Sequence, residues 1–138
     1  MKPISPELKQ FIKKHVAGLR ETAFLNHFKI DVEIAKLKDA SMTIDVDYRY
    51  LDAQIIIDRD TLITDWESGR KLKIMEALSH EICHCITQEM SAPFHTKYKL
   101  DKFMSEQAQH FEERVTEHFS RLVLQLYFYE NKLDQNRL

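Results

Sequence analysis

The stretch Leu78-Ser79-His80-Glu81-Ile82-Cys83-His84-Cys85 decides how the rest of the chain is interpreted, because it contains the pattern His80-Glu81-x-x-His84. Residues four apart lie on one face of a helix, so both imidazoles can bind a single metal ion. Glu81 lies beside them, where a carboxylate can accept a proton from a metal-activated water. Random placement of the 7 His and 12 Glu produces this pattern in roughly 0.03 of such chains, so the surrounding sequence has to support it.

The segment around this motif is predicted to be a helix from about residue 70 to residue 90. His80 and His84 fall opposite its apolar stripe, so one face is predicted to pack and the other to present imidazoles. Cys85 belongs to the apolar stripe and Cys83 to its flank, so a packing role is favoured over metal ligation for both. Their side chains, at i and i+2, point apart and cannot form a disulfide with each other. Ser91-Ala92-Pro93 is predicted to end the helix. The apolar stripe consists of Ile74, Met75, Leu78, Ile82, Cys85 and Ile86.

The N-terminal half predicts a helix followed by strands. Ser5-Pro6-Glu7 is a typical helix start, and apolar residues recur at helical spacing to about Leu25. His15 lies on this helix, where a core or solvated role is favoured over metal binding. Alternation with period two predicts strands at about 28–35, 42–49 and 53–58. The acidic residues 31, 33, 45 and 47 fall on the solvent face of these strands, which favours a solvated sheet surface over a calcium site.

The C-terminal half adds one more long helix, from about residue 105 to residue 131. Its predicted apolar face consists of Phe111, Val115, Phe119, Leu122, Val123 and Leu126. Residues 58–69 are predicted to be transitional, with a short helical turn around Leu62, Ile63 and Trp66. Together these elements predict one α+β domain over residues 1–138. It has an N-terminal helix, a small three- to four-stranded, mostly antiparallel sheet, the helix of the histidine motif and a C-terminal helix that bears glutamates.

Composition restricts the classes of partner and location. The net charge of −2 comes from interspersed acidic and basic residues, which gives no electrostatic footprint for nucleic acid or an anionic membrane. No apolar run approaches the ~18 residues of a membrane span, and the first residues lack the apolar core of a signal peptide. With two unpaired cysteines, these features predict a cytoplasmic protein. The sequence leaves the oligomeric state open.

A catalytic zinc site needs a third protein ligand besides His80 and His84. A histidine six residues beyond the second one is excluded, because residue 90 is Met. A second helix running antiparallel to the first can supply the missing ligand. The candidates after His84 are His95, Glu106, His110, Glu112, Glu113, Glu117 and His118.

The motif resembles the gluzincin metallopeptidases when it is taken together with Glu113-Arg114-Val115-Thr116-Glu117-His118-Phe119-Ser120. The resemblance covers nearly the whole chain and implies one Zn²⁺ per chain, with Glu113 as third ligand and Glu117 supporting a histidine. Thr116, Ser120 and Phe119 match residue types that accompany this glutamate pair in the family. Small members are often encoded by phages or prophages, so the resemblance also implies such an origin.

Glu112 remains an alternative third ligand, because it lies nearer the centre of the predicted apolar face and a buried carboxylate needs a partner. Taken alone, Glu112, Glu113 and Glu117 would be interpreted as a solvated acidic face paired with Arg114 and Arg121. Coupled to the histidine motif, metal binding is the favoured interpretation.

The expected function is zinc-dependent peptide hydrolysis with Glu81 as general base. The resemblance places Ala53–Asp58 at the sheet edge, where an extended peptide or protein substrate would add as a strand. The candidates for stabilising the oxyanion are Tyr98, His95, His110 and Arg114. Two alternatives are a catalytically silent zinc-binding regulatory or assembly protein, and an interaction module in which the motif is accidental.

Overall fold

Four α-helices and three strands account for most of the described chain. A computed structural model describes the backbone of residues 2–97 and 102–138, and the side chains of residues 2–90 and 104–138. The α+β class and the leading helix are confirmed. The elements are α1 (Pro6–Thr22), β1 (Lys29–Ala35), β2 (Met42–Asp47), β3 (Asp52–Asp58), α2 (Arg59–Glu67), α3 (Lys71–Lys97), α4 (Lys102–Glu130) and a 3₁₀ turn (Gln135–Arg137).

Helix α1 begins where the sequence predicts. The Ser5 side chain accepts a hydrogen bond from the Leu8 N–H over 3.2 Å, and Pro6 occupies the first helical position. His15 is buried on the inner side of α1, with its Nδ1 atom 2.7 Å from the hydroxyl of Tyr127 on α4. Burial, followed by the charge of Lys14, lowers the pKa of His15 to about 4. Of the two roles that the sequence left open for His15, core or solvated, the structure shows the core one.

The sheet has three strands in the order β1-β3-β2, so β3 lies in the centre. β3 pairs in parallel with β1 and antiparallel with β2, which makes the sheet mixed and not mostly antiparallel. The expectation that Ala53–Asp58 forms a free edge is therefore wrong. The physical reason lies in composition, because Ile55-Ile56-Ile57 is the most continuous apolar run of the three strands and such runs occupy central positions.

Helix α2 forms where only a short turn is predicted. The Asp58 carboxylate accepts hydrogen bonds from the Thr61 N–H (3.0 Å) and hydroxyl (2.7 Å), and it also accepts one from the Leu37 N–H (2.9 Å). These bonds, the one from Leu37 first, lower the pKa of Asp58. After α2, Gly69 adopts φ +72°, a left-handed conformation that favours glycine and turns the chain into α3.

Helix α3 continues to Lys97, so the prediction that Ser91-Ala92-Pro93 ends it is wrong. Proline removes one helical hydrogen bond, but its φ near −65° is compatible with helix. α3 packs against the sheet, mainly through β2, and against α4 on another side. Tertiary cover on two sides explains why its middle is buried nearly all round, including Ser79 and Cys83.

The predicted packing face of α4 is also wrong. Phe111, Leu122 and Tyr129 are 61%, 63% and 83% exposed, and Phe119 and Leu126 also reach solvent. Val115 and Val123 are half-buried. The buried residues of α4 are Thr116, Ser120, Leu124, Tyr127 and Phe128. The helix is turned so that its small and polar residues meet α3.

Candidate metal centre

Helices α3 and α4 run antiparallel along a seam of small side chains. Contacts pair residue 79 with residue 120 and residue 87 with residue 116, so one residue number rises as the other falls. The Ser79 hydroxyl donates to the Ser120 carbonyl over 2.8 Å, and the Thr87 and Thr116 hydroxyls are 2.7 Å apart. Buried hydroxyls that find partners cost little to bury, and their small size lets the two backbones approach.

This approach places one glutamate between the two motif histidines. The Nε2 atom of His80 is 3.2 Å from one carboxylate oxygen of Glu113, and the Nε2 atom of His84 is 3.3 Å from the other. One ligand atom from each of the three residues lies within 4.8 Å of the other two. This group can hold a metal ion, and it is the single such cluster of His, Cys, Asp and Glu among the side chains that the structure describes. Among the described side chains, the acidic strand residues 31, 33, 45 and 47 form no comparable group.

The second nitrogen of each histidine ring meets a different glutamate. The Nδ1 atom of His80 is 3.0 Å from Glu117 Oε2, a hydrogen-bonding distance. The Nδ1 atom of His84 is 3.6 Å from Glu112 Oε1; it is buried and has no hydrogen-bond partner within bonding distance. A carboxylate beside Nδ1 favours the tautomer that carries its proton there and leaves Nε2 free to bind a metal. Both rings are therefore oriented with Nε2 toward Glu113.

Burial sets the protonation of two further groups. His84 is 6% exposed, and burial is the main reason why its pKa is lowered, so its ring is neutral at pH 7 as metal binding requires. Burial also raises the pKa of Glu81 to about 7, with the charge of His80 acting against this shift and the charge of Glu113 reinforcing it. Glu81 directly follows His80 on α3, so its half-buried side chain lies on the same helical turn as that histidine.

The structure separates the candidates that the sequence leaves open. Glu113 belongs to the group of three, whereas Glu112 lies against the far nitrogen of His84. Glu106, His110 and His118 are exposed on α4. Arg114 is exposed too, with its guanidinium 5.9 Å from the centre of the Phe111 ring. Tyr98 and the side chain of His95 lie outside the described residues.

Sequence reasoning missed two features of the centre. The hydroxyl seam uses Ser79 and Thr87 from α3, and the signal for it was present in the small residues at positions 79, 83 and 87, four apart. The place of Glu112 beside His84 was not anticipated, because spacing along one helix does not show which nitrogen of a ring on another helix a carboxylate will meet.

A cavity of about 370 Å³ opens beside His80 on its Glu117 side. It is bounded by α3 and α4, and Glu81, His84 and Glu113 do not line it. This cavity therefore gives access to the outer side of His80 and not to the space between His80, His84 and Glu113.

Comparison of the chain with protein-family models, curated proteins and solved structures gave no match. The resemblance to gluzincins thus depends on the residues of this chain alone. Among the described helices, none combines the length and apolar character that crossing a membrane requires.

Proposed function

We propose that this chain is a zinc-dependent peptidase of the gluzincin kind. The observation that carries the proposal is the convergence of His80, His84 and Glu113, with both Nε2 atoms directed at one carboxylate and Glu81 close by. A cytoplasmic location belongs to the same proposal.

Zinc is the metal that suits this donor set. Two imidazole nitrogens and one carboxylate form a common ligand set of catalytic zinc, which keeps a fourth position for water. Ligand atoms ~2.0–2.1 Å from a tetrahedral zinc ion lie about 3.3–3.4 Å apart. The two Nε2 atoms lie 3.2 and 3.3 Å from different oxygens of Glu113, and one ligand atom from each residue lies within 4.8 Å of the others, so a small closing movement would bring all three to one ion. The lone buried Nδ1 atom of His84, with Glu112 beyond it, fits a ring held for coordination.

When bound, zinc supplies a Lewis acid that lowers the pKa of water and polarises a carbonyl group. Glu81 accepts the proton of the attacking water and then returns it to the amine that leaves. A pKa near 7 suits a group that must both take and give a proton at neutral pH. Glu117 orients the His80 imidazole through a hydrogen bond, and the Glu112 carboxylate lies 3.6 Å from Nδ1 of His84.

The extended substrate is proposed to add to the edge strand β2, because β3 lies in the centre of the sheet and has no free edge. β2 is an edge strand and packs against α3. Tyr48, directly after β2, brings its hydroxyl to 3.5 Å from the His84 carbonyl oxygen and 3.4 Å from that of Cys85. The end of this edge strand thus lies at the level of the motif, so a peptide hydrogen-bonded along β2 would be led toward the metal centre.

The test is a Glu81→Gln variant measured for bound zinc and for cleavage of fluorescently labelled casein, an unstructured substrate. We expect about one zinc per chain in both proteins and a loss of cleavage of about 10²-fold or more in the variant, since general base catalysis contributes this much. Glu89→Gln, on an exposed position of the same helix, is the matched control and should cleave as the wild type does.

Wild-type cleavage by Glu81→Gln with zinc bound would overturn the mechanism. Stoichiometric zinc, a lower melting temperature on chelation and no turnover by the wild type would favour the catalytically silent zinc protein instead. Absence of zinc from wild-type protein purified without chelators would overturn both.

A further inference from the structure

A groove of about 650 Å³ lies between α1 and the sheet, away from the metal centre. It follows β1, the strand at the other edge of the sheet from β2. None of the histidines or glutamates of the metal centre lines it. Its lining consists of Ile4, Lys9, Ile12, Lys13, Val16, Ala17, Arg20, Ile30, Asp31, Val32, Ile34 and Arg59.

The floor of the groove contains an unpaired strand edge. The Lys29 N–H donates to the Leu51 carbonyl in the ladder with β3. Backbone groups of successive residues in a strand point to opposite edges. The N–H and C=O groups of Ile30, Val32 and Ile34 are therefore directed away from β3, toward an edge beside which no other described strand lies.

The apolar side chains of this strand are incompletely covered. Ile30, Val32 and Ile34 are half-buried, whereas Ile55 and Ile57 of the same sheet face are buried almost completely. α1 makes limited contact with β1 and packs more extensively on α3 and α4. An added strand that continued the sheet beneath α1 would cover these side chains and use the free backbone groups together.

The walls of the groove are positively charged. Lys9, Lys13, Arg20 and Arg59 face it, against a single acidic residue, Asp31, which has Lys29 3.7 Å away. The Nη1 atom of Arg20 donates to the Phe28 carbonyl over 3.2 Å, while the Nε atoms of both arginines are buried and have no hydrogen-bond acceptor. This local excess of positive charge contrasts with the net charge of −2 of the whole chain, so it selects for a ligand with carboxylates.

We propose that this groove binds an extended peptide carrying aliphatic and acidic side chains, which adds to β1 as a fourth strand. Every second side chain of the peptide points toward α1, where aliphatic groups lie beside the half-buried Ile30, Val32 and Ile34 and carboxylates reach the lysines and arginines. The alternate side chains point to the opposite sheet face, next to Glu33, where uncharged residues fit best. The proposal is independent of the metal centre.

The test uses a fluorescein-labelled peptide Thr-Val-Thr-Glu-Thr-Val-Thr-Glu, whose valines and glutamates share one face of a strand. Fluorescence anisotropy with the full chain should show saturable binding. Replacing both glutamates by lysine should weaken binding about tenfold or more, because like charges then face each other. Methylating the backbone nitrogens on the peptide edge that faces β1 should abolish binding, since the hydrogen bonds between the peptide and β1 are then lost.

A pair of charge reversals on α1 provides the matched protein variants. Lys13→Glu lies in the groove and should weaken binding about tenfold, whereas Lys14→Glu, an exposed neighbour outside this groove, should change it less than about twofold. Circular dichroism verifies that both variants fold.

Hydrogen exchange identifies the binding mode. Binding should protect the amides of Ile30, Val32 and Ile34. Unchanged exchange there, equal binding of the lysine peptide, or equal effects of Lys13→Glu and Lys14→Glu would overturn the proposal. Binding of dodecanoate in the groove without binding of the peptide would also overturn the proposal, and would show that the groove takes an anionic amphiphile.

Discussion

The two faces of α4 differ in a way that reverses the usual pattern of a surface helix. The face toward α3 carries Glu113, Glu117 and buried hydroxyls. The opposite face presents Phe111, Leu122 and Tyr129 to solvent. An amphipathic helix ordinarily packs through its apolar stripe and exposes its charges.

The difference shows how a polar face can be the packed one. Polar groups on the inner face have counterparts on α3, such as His80 for Glu117 and Thr87 for Thr116. Apolar packing resumes only in the last turns, where Leu124, Tyr127 and Phe128 enter the core. Burial of polar groups is tolerated where each finds a partner, and a binding site is where such partners are concentrated.

Removing the central carboxylate should have the largest effect on the inner face. Glu113→Gln is expected to weaken zinc binding by more than ~100-fold, beyond the loss typical of an outer hydrogen-bond partner. Competition with a chromophoric chelator measures the affinity. Glu106→Gln, an exposed position on the same helix, is the control and should bind as the wild type does. Unchanged affinity in Glu113→Gln would show that another residue completes the site.

Two leucines of α4, two positions apart, compare the faces directly. Leu124 is 8% exposed and Leu122 is 63% exposed. Leu124→Ala should reduce the free energy of unfolding by about 2–5 kcal/mol, because it opens a cavity in the core. Leu122→Ala should change it by less than about 0.5 kcal/mol. Urea unfolding measures both values, and equal losses would contradict the orientation of α4 described above.

The contact between His15 on α1 and Tyr127 on the inner face of α4 tests that face at a distance from the candidate metal centre. Its folded pKa of about 4 lies below the value of ~6.5 expected when the chain unfolds, so the unfolded state binds the extra proton between these two pH values. The stabilisation is present above pH ~6.5 and is lost as the pH falls toward 4. Relative to His15→Gln, the wild type should lose about 2 kcal/mol of unfolding free energy between pH 7 and pH 5. Urea titrations of both zinc-free proteins measure this difference, and parallel pH profiles would refute it.

The two outer carboxylates should give the smallest effects, and unequal ones. Glu117→Gln is expected to weaken zinc binding about tenfold, because its contact with His80 is a hydrogen bond of 3.0 Å. Glu112→Gln should have less effect, since it lies 3.6 Å from His84. The same chelator competition ranks them. The reverse order would mean that Glu112 moves closer to His84 when metal binds.

Local patterns in the sequence were sufficient for several features. Ser5-Pro6 predicted the start of α1, and period-two alternation predicted three strands, because capping and amphipathic periodicity act over a few residues. The spacing of His80 and His84, and the choice of Glu113 over Glu112, followed from helical geometry and resemblance. The structure then brought these three residues together.

Other features depend on contacts between distant segments and could not be predicted in this way. The apolar run of β3 favours a central place, but its pairing with β1 on one edge and β2 on the other is decided by contacts between distant segments. The extension of α3 past Pro93 likewise goes beyond a local rule for helix ends. The orientation of α4 was predicted wrongly, since its apolar periodicity indicated the outer face.

By itself, the sequence determined that one helix would present two histidines and a glutamate with metal-binding spacing. Only the tertiary structure decided that α4 meets them through its polar face, with Glu113 between the two Nε2 atoms and Glu117 and Glu112 at the outer nitrogens. The physical reason is that periodicity reports the average preference of a helix face for water. The partners available on α3 decide which face can be buried at the lowest cost.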